Sequence, residues 1–274
     1  MKKLLCTVLL LSSALVQAGF DEGLVAADKG DYQTAFKEWK PLAEQGGAAA
    51  QYNLGIMYDK GRGIAQNDTQ AVYWYQKAAE QGVADAQYNL GIMYDNGKGV
   101  AQNYTQAVYW YQKAAAQGYA YAQYNLGHMY SNGQGIPQNY TQALHWYNKA
   151  AAQGVTEAQY TLGVVYEKGQ GVAQNDTQAV AWYQKAAEQG YADAQYNLGN
   201  MYGKGQGVPQ NFKIAYILFN LAASNSDADA TQNRDIAAAI LSPATIEDAQ
   251  RITMQLYNSK SFAADLRKLL NSQK

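Results

Sequence analysis

Among 274 residues the sequence holds one cysteine, Cys6, four prolines, two histidines and five phenylalanines. A lone thiol cannot close an intramolecular disulfide, so packing alone must hold the fold. Clustered Cys and His ligands of the zinc-binding kind are missing as well. Charged residues make up only 16%, and 21 basic against 22 acidic side chains leave a net of −1. So balanced a chain has no general electrostatic pull on nucleic acid or anionic lipid. Beyond residue 18 no apolar stretch reaches the roughly 20 residues that a membrane-spanning helix needs. What is plentiful is tyrosine, with 24 Tyr and 5 Trp in a composition that is 48% hydrophobic. That apolar share excludes wholesale disorder. Tyr and Trp bury a ring yet keep a polar tip, which suits half-buried surfaces.

The one long apolar run, Leu4 to Val16, follows the basic start Met1-Lys2-Lys3 and leads into Val16-Gln17-Ala18. This order predicts a secretory signal over 1–18, cut after Ala18, and so a bacterial protein exported to the periplasm or beyond. Cys6 lies inside the run and not at its end, where a lipid-modified signal would need it.

Repetition dominates the rest. AQYNLG begins at 50, 86, 122 and 194, and AQYTLG at 158, a spacing of 36. Gly55, Gly91, Gly127, Gly163 and Gly199 share one slot, and Gly46, Gly82, Gly118, Gly154 and Gly190 another. The pairs Gly61/Gly63, Gly97/Gly99, Gly133/Gly135, Gly169/Gly171 and Gly205/Gly207 fill two more. Trp74, Trp110, Trp146 and Trp182 occupy one slot, with Leu218 as its next member. A fixed period of this length is the signature of a repeat architecture.

Each unit reads as two helices. In residues 83–118, Ala86, Leu90, Met93 and Tyr94 fall on one apolar arc, with Gly91 at its edge. Glycine within a helix costs about 1 kcal/mol against alanine, so close approach of a partner helix is expected there. Asn96-Gly97-Lys98-Gly99 ends the first helix. Asn103 caps the second, with Gln106 at the third position of a capping box. Ala107, Trp110, Tyr111, Ala114 and Ala115 form its apolar face, small against large.

The pattern A-x-A-Q-Y-x-L-G-x-x-Y, then G-x-G-V, then A-x-x-W-Y-x-K-A-A-x-Q-G resembles the Sel-1-like repeat family, a relative of the tetratricopeptide repeats. That resemblance implies an all-α fold, a right-handed α/α superhelical solenoid. It extends over about 20 to 226, with full units at 47–82, 83–118, 119–154, 155–190 and 191–226. Residues 19–46 read as a divergent N-terminal capping repeat: Phe20 to Lys29 and Asp31 to Gln45 as helices, Trp39 in the Tyr slot and Glu38 in the Trp slot. After unit five the motif is lost, since Arg234-Asp235 fall where Leu-Gly would stand. Residues 227–274 are expected to form a helical cap, with Ser242-Pro243 opening a helix through Ile246, Ala249, Ile252, Met254 and Leu256. The tail Asn271 to Lys274 is expected to fray.

Candidate binding residues lie on the first helices, away from the apolar arc. In unit two that face carries Asp85, Tyr88, Ile92, Asp95 and Asn96. Stacking would align Tyr52, Tyr88, Tyr124, Tyr160 and Tyr196 as a ladder. Beside it runs a varied slot of Ile56, Ile92, His128, Val164 and Asn200. A third slot holds Ala49, Asp85, Tyr121, Glu157 and Asp193. An aromatic floor with varied flanks suits an extended peptide or protein segment in a concave groove. Alternatively, the tyrosines only pack between neighbouring first helices. Asn53, Asn89, Asn125 and Asn197 stand beside the ladder, able to hold a bound backbone or to bridge helices.

Other motifs are weaker. Asn67, Asn103, Asn139 and Asn175 each open an N-x-T triplet, and all sit at the cap position of a helix. The G-x-G loops end helices where a phosphate cradle would begin one. His128 and His145 fall in tolerant slots, and incidental variation is their reading. Some members of the resembled family have been described as penicillin-binding or β-lactamase-like, which supplies the alternative function. No Ser after residue 18 precedes a Lys in S-x-x-K spacing, and no G-x-S-x-G elbow occurs. The expectation is an exported, non-enzymatic scaffold or adaptor, monomeric, without cofactor, metal or catalytic residue.

Overall fold

The computed structural model describes residues 18–223 and 228–272. The expected signal falls on residues outside this range, apart from Ala18. The chain divides between Gln138 and Asn139 into two compact units. Within the described residues every regular element is a helix.

The first unit contains α1 (18–28), α2 (Tyr32–Glu44), α3 (Ala48–Lys60), α4 (Asp68–Glu80), α5 (Ala84–Asn96), α6 (Tyr104–Ala116) and α7 (Ala120–Asn132). The second contains α8 (Tyr140–Ala152), α9 (Thr156–Lys168), α10 (Asp176–Glu188), α11 (Ala192–Lys204), α12 (Phe212–Ala223), α13 (Ala228–Ala238), α14 (Pro243–Tyr257) and α15 (Phe262–Asn271). From α2 to α7, and again from α8 to α13, each helix packs on the next in sequence, so both units are α/α solenoid stacks.

The periodic glycines do two jobs. A side-chain carbon on Gly91 would lie 2.6 Å from the Tyr111 ring, and Gly55 and Gly163 stand the same way to Tyr75 and Tyr183. Helix-on-helix contact at these points has room only for hydrogen, which is the expected close approach. Gly97 closes α5 in the left-handed region at φ 67°. Gly99, also at positive φ, lets its loop touch the backbone of Asp68, one repeat back. The asparagine half of the expected cap is present: the side chains of Asn67, Asn103, Asn139 and Asn175 accept the third amide of α4, α6, α8 and α10, while the Asn103 amide goes to the Tyr94 carbonyl and not to Gln106.

The core of the first unit runs through Leu54, Met57, Tyr75, Leu90, Met93 and Trp110, with alanines between them. Trp39 takes the Tyr slot of the divergent first hairpin. It is buried, faces Gly23, and donates its Nε1–H to the Phe20 carbonyl at 3.2 Å. The polar tip expected of tryptophan goes unused at three other positions. Nε1 of Trp74, Trp110 and Trp146 is buried without a hydrogen-bond partner, so these rings serve as bulk.

In the second unit α12 is apolar on every side, with Ile214 to Phe219 all buried. It needs more cover than one hairpin supplies, and α11, α13 and α14 all contact it. The repeat register survives in α13, although its motif does not. Ala230 and Ala237 are buried 36 residues after Ala194 and Met201, and Asn233 follows Asn197 by the same interval. The helix opened by Ser242 is present, but Met254 is 65% exposed. α15 is helical through Asn271, one residue into the tail expected to fray, and Leu266 and Leu270 just before it are buried in the core. Gln273 and Lys274 lie outside the described residues. Arg267 anchors α15, reaching Glu188 on α10 with two nitrogens at 2.9 and 2.5 Å.

Candidate interaction face of the first helices

Three of the repeats are tied to the preceding hairpin through a pair of glutamines. Gln87, buried on α5, donates to the Ala79 carbonyl at 3.0 Å and accepts from Gln117 at 2.8 Å. Gln117 also donates to the Gly82 carbonyl at 2.9 Å. Gln51 with Gln81, and Gln159 with Gln189, repeat the arrangement. The carbonyls so satisfied belong to helix ends, which leave several acceptors without intrahelical donors. The sequence reading missed this ladder. Its signal was present, because glutamine holds both slots in unit after unit.

The tyrosine ladder sits on a second, hidden row. Tyr52, Tyr88, Tyr160 and Tyr196 are half-buried, with ring centres 5.8–6.1 Å from buried Tyr75, Tyr111, Tyr183 and Phe219. Tyr124 is also half-buried. The hydroxyl of Tyr111 donates to Asp95 at 3.1 Å, and that of Tyr183 to Glu167 at 2.5 Å. Burial first, then a carboxylate beside each, Asp59, Asp95 and Glu167 in turn, hold the Tyr75, Tyr111 and Tyr183 hydroxyls far above the ordinary phenol range. Asp95 therefore works inside its own hairpin.

The asparagines bridge helices. Asn89 acts on the Tyr52 and Tyr75 hydroxyls, Asn125 on that of Tyr111, and Asn197 on those of Tyr160 and Tyr183, in each case countering the upward push of burial. Asn233 continues the series, donating to the Tyr196 hydroxyl at 3.1 Å and to Asn200 Oδ1 at 3.0 Å.

In the first unit Asp85 and His128 are exposed and Tyr121 is 49% exposed, while Ile92 is half-buried. Tyr88 lies 4.8 Å from Tyr119 and 6.4 Å from Tyr121, centre to centre, so the structure adds Tyr119 to the predicted set. Burial first, and then the Asp85 carboxylate, push the half-buried Tyr119 hydroxyl up to about 12. His128 lies 3.2 Å from the Asn132 amide. In the second unit Asp193 is exposed, Val164 packs on the core, and Tyr160 lies 5.1 Å from Tyr191. His145 stands edge-on to Trp146 at 5.1 Å.

Three of the described serines serve local structure. Ser242 caps α14, Ser259 donates to Asp265 at 2.5 Å, and Ser272 donates to the Leu269 carbonyl. Among the described residues no three His, Cys or acidic side chains cluster as metal ligands, and no helix is long and apolar enough to cross a membrane.

The Sel1 repeat model matches 48–83, 84–119, 120–155, 156–191 and 192–227. The chain belongs to the Sel1 repeat family. It is similar to the protective antigen with an SLR fold present in uropathogenic Escherichia coli strains, with 33% identity and a TM-score of 0.78. That match covers 90% of this chain and 55% of the other, so the chain spans little more than half of that relative. It also resembles a Sel1 repeat protein from Oxalobacter formigenes, at 37% identity and a TM-score of 0.72, over 77% of this chain and 86% of that one. No curated protein matches it. Sel1 repeat proteins are commonly protein-interaction scaffolds and generally non-enzymatic, and the alternative of a hydrolase gains no support.

Proposed function

We propose that this Sel1 repeat protein is an exported, non-enzymatic adaptor that binds a protein or extended peptide along its first-helix faces. The observation that carries this reading is the two-row tyrosine arrangement. A buried row fixes the half-buried ladder, so the aromatic surface is in place before a ligand arrives. Rigid, amphipathic rings give contact area at low entropic cost. Around the ladder the residues vary from repeat to repeat, as Tyr121, Asp85, His128, Asp193 and Asn200 do. A common floor with individual flanks is what discrimination between peptide sequences needs.

The test is a displayed peptide library panned on the purified chain. Selected peptides should bind the parent and lose affinity for a Tyr88→Ala, Tyr124→Ala double variant of unchanged helicity. Equal binding to both places the interaction elsewhere. For export, the mass of the protein recovered from a bacterial envelope fraction should correspond to a chain starting at Gly19. An uncleaved cytoplasmic product contradicts that part.

A further inference from the structure

One cluster in the first unit differs from its counterparts. Three tyrosines of this unit have a cation of the chain above them. Lys77 stands 5.7 Å over Tyr73, Lys113 5.5 Å over Tyr109 and Arg62 5.4 Å over Tyr32. Tyr119 and Tyr121 have none among the described residues, and Asp85 beside them has no ion pair there. Neither α5 nor α7, which carry these groups, contains a single Lys or Arg. The lysines of the α4 and α6 repeat slot, Lys77 and Lys113, sit on the second helices. Within α5 and α7 the only charged side chains are therefore carboxylates.

We propose that Tyr88, Tyr119, Tyr121 and Asp85 form a subsite for a guanidinium, the arginine side chain of a bound protein segment. The proposal rests on the peptide-binding reading and names the chemistry of its partner. A planar guanidinium can lie on tyrosine faces while its N–H groups reach the exposed Asp85 carboxylate. Lysine, a compact and strongly hydrated point charge, gains less from a stacked surface. The rings are already clustered, with Tyr88 4.8 Å from Tyr119 and 6.4 Å from Tyr121, so little ordering is left to the binding step. The Asp85 carboxylate lies close enough to Tyr119 to raise its phenol, second only to burial. A smaller version recurs in the second unit, where Tyr160 and Tyr191 lie 5.1 Å apart and Asp193 raises the Tyr160 phenol after burial does.

The repeats supply the variants. Val83 and Val155 occupy the slot of Tyr119, and Ala49 that of Tyr121. Tyr119→Val with Tyr121→Ala thus installs residues this fold already carries there. Asp85→Asn removes the charge alone. The probes are end-blocked hexa-arginine, hexa-lysine and hexa-glutamate, titrated by fluorescence anisotropy near 0.15 M salt, where distant charges are screened. Hexa-arginine should bind the parent best. Its affinity should fall about tenfold in the double tyrosine variant, in line with cation–π interactions, and fall clearly in Asp85→Asn, with Tyr109→Ala unaffected. Failure of hexa-arginine to bind the parent, equal binding of hexa-lysine, or indifference to both variants overturns the subsite. Library peptides that depend on Tyr88 and Tyr124 but lack arginine would overturn the subsite while leaving the peptide-binding reading intact.

Discussion

A carbon added to Gly91 would stand 2.6 Å from the ring of Tyr111, closer than two non-bonded carbons can rest. Two effects oppose each other in Gly91→Ala. Helix propensity favours alanine by about 1 kcal/mol. Overpacking against a buried ring costs about 1–3 kcal/mol. Tyr111 is wholly buried and its hydroxyl is tied to Asp95, so it cannot swing away. The variant should be destabilised by about 1 kcal/mol or more, seen as a lower urea midpoint. A raised midpoint would show that the hairpin has slack.

Gln87 carries a second prediction. Replacing it with leucine keeps the volume but strands the Ala79 carbonyl and one hydrogen bond of Gln117. A buried acceptor left unpaired costs about 1–3 kcal/mol. The expected loss lies in that range by chemical denaturation, whereas Gln106→Leu, at an exposed site, should change little.

These two residues mark what the sequence could and could not tell. Gly91 was readable, because a recurring glycine in a helix demands a reason and a large partner recurs beside it. Gln87 was not, because a polar residue next to Ala86 reads as solvent-facing. Its partners lie eight and thirty positions away, on other helices. The asparagines were open for a related cause: spacing placed them beside the tyrosines but could not say whether ligand or hydroxyl received their protons. The register of α13 escaped because Arg234 and Asp235 erased the Leu-Gly mark while Ala230, Asn233 and Ala237 kept the contacts. Tyr119 was passed over because its slot holds glycine or valine in three other units.

Alkaline pH should unfold the protein through its hidden phenols. Tyr75, Tyr111 and Tyr183 have folded-state pKa values raised by burial and by their carboxylate acceptors. A raised value favours the proton-bound form of the folded chain. The associated stability is complete below the unfolded phenol value of about 10 and is lost as pH climbs above it. Absorbance of tyrosinate should therefore rise in two stages. The later stage, from buried Tyr75, Tyr111 and Tyr183, should coincide with the loss of helical circular dichroism. A single stage near pH 10 with helicity retained would contradict the buried row.

The C-terminal helix is a cover, not an appendage. Leu266 is fully buried against the apolar core of the second unit. Leu266→Ala should cost about 2–5 kcal/mol and lower the thermal midpoint. Arg267→Met should also destabilise, since the Glu188 carboxylate, only 6% exposed, would lose its cation. Unchanged midpoints in both variants would mean that α15 is dispensable.

The central claim is that the first-helix face, rather than the second, meets the partner. A photo-crosslinking side chain placed at Tyr121 on α7 or at Tyr109 on α6 compares two tyrosines that are 49% and 46% exposed. In cells that make the protein, position 121 should capture a discrete partner band and position 109 should not. Capture at 109 with none at 121 would contradict the account.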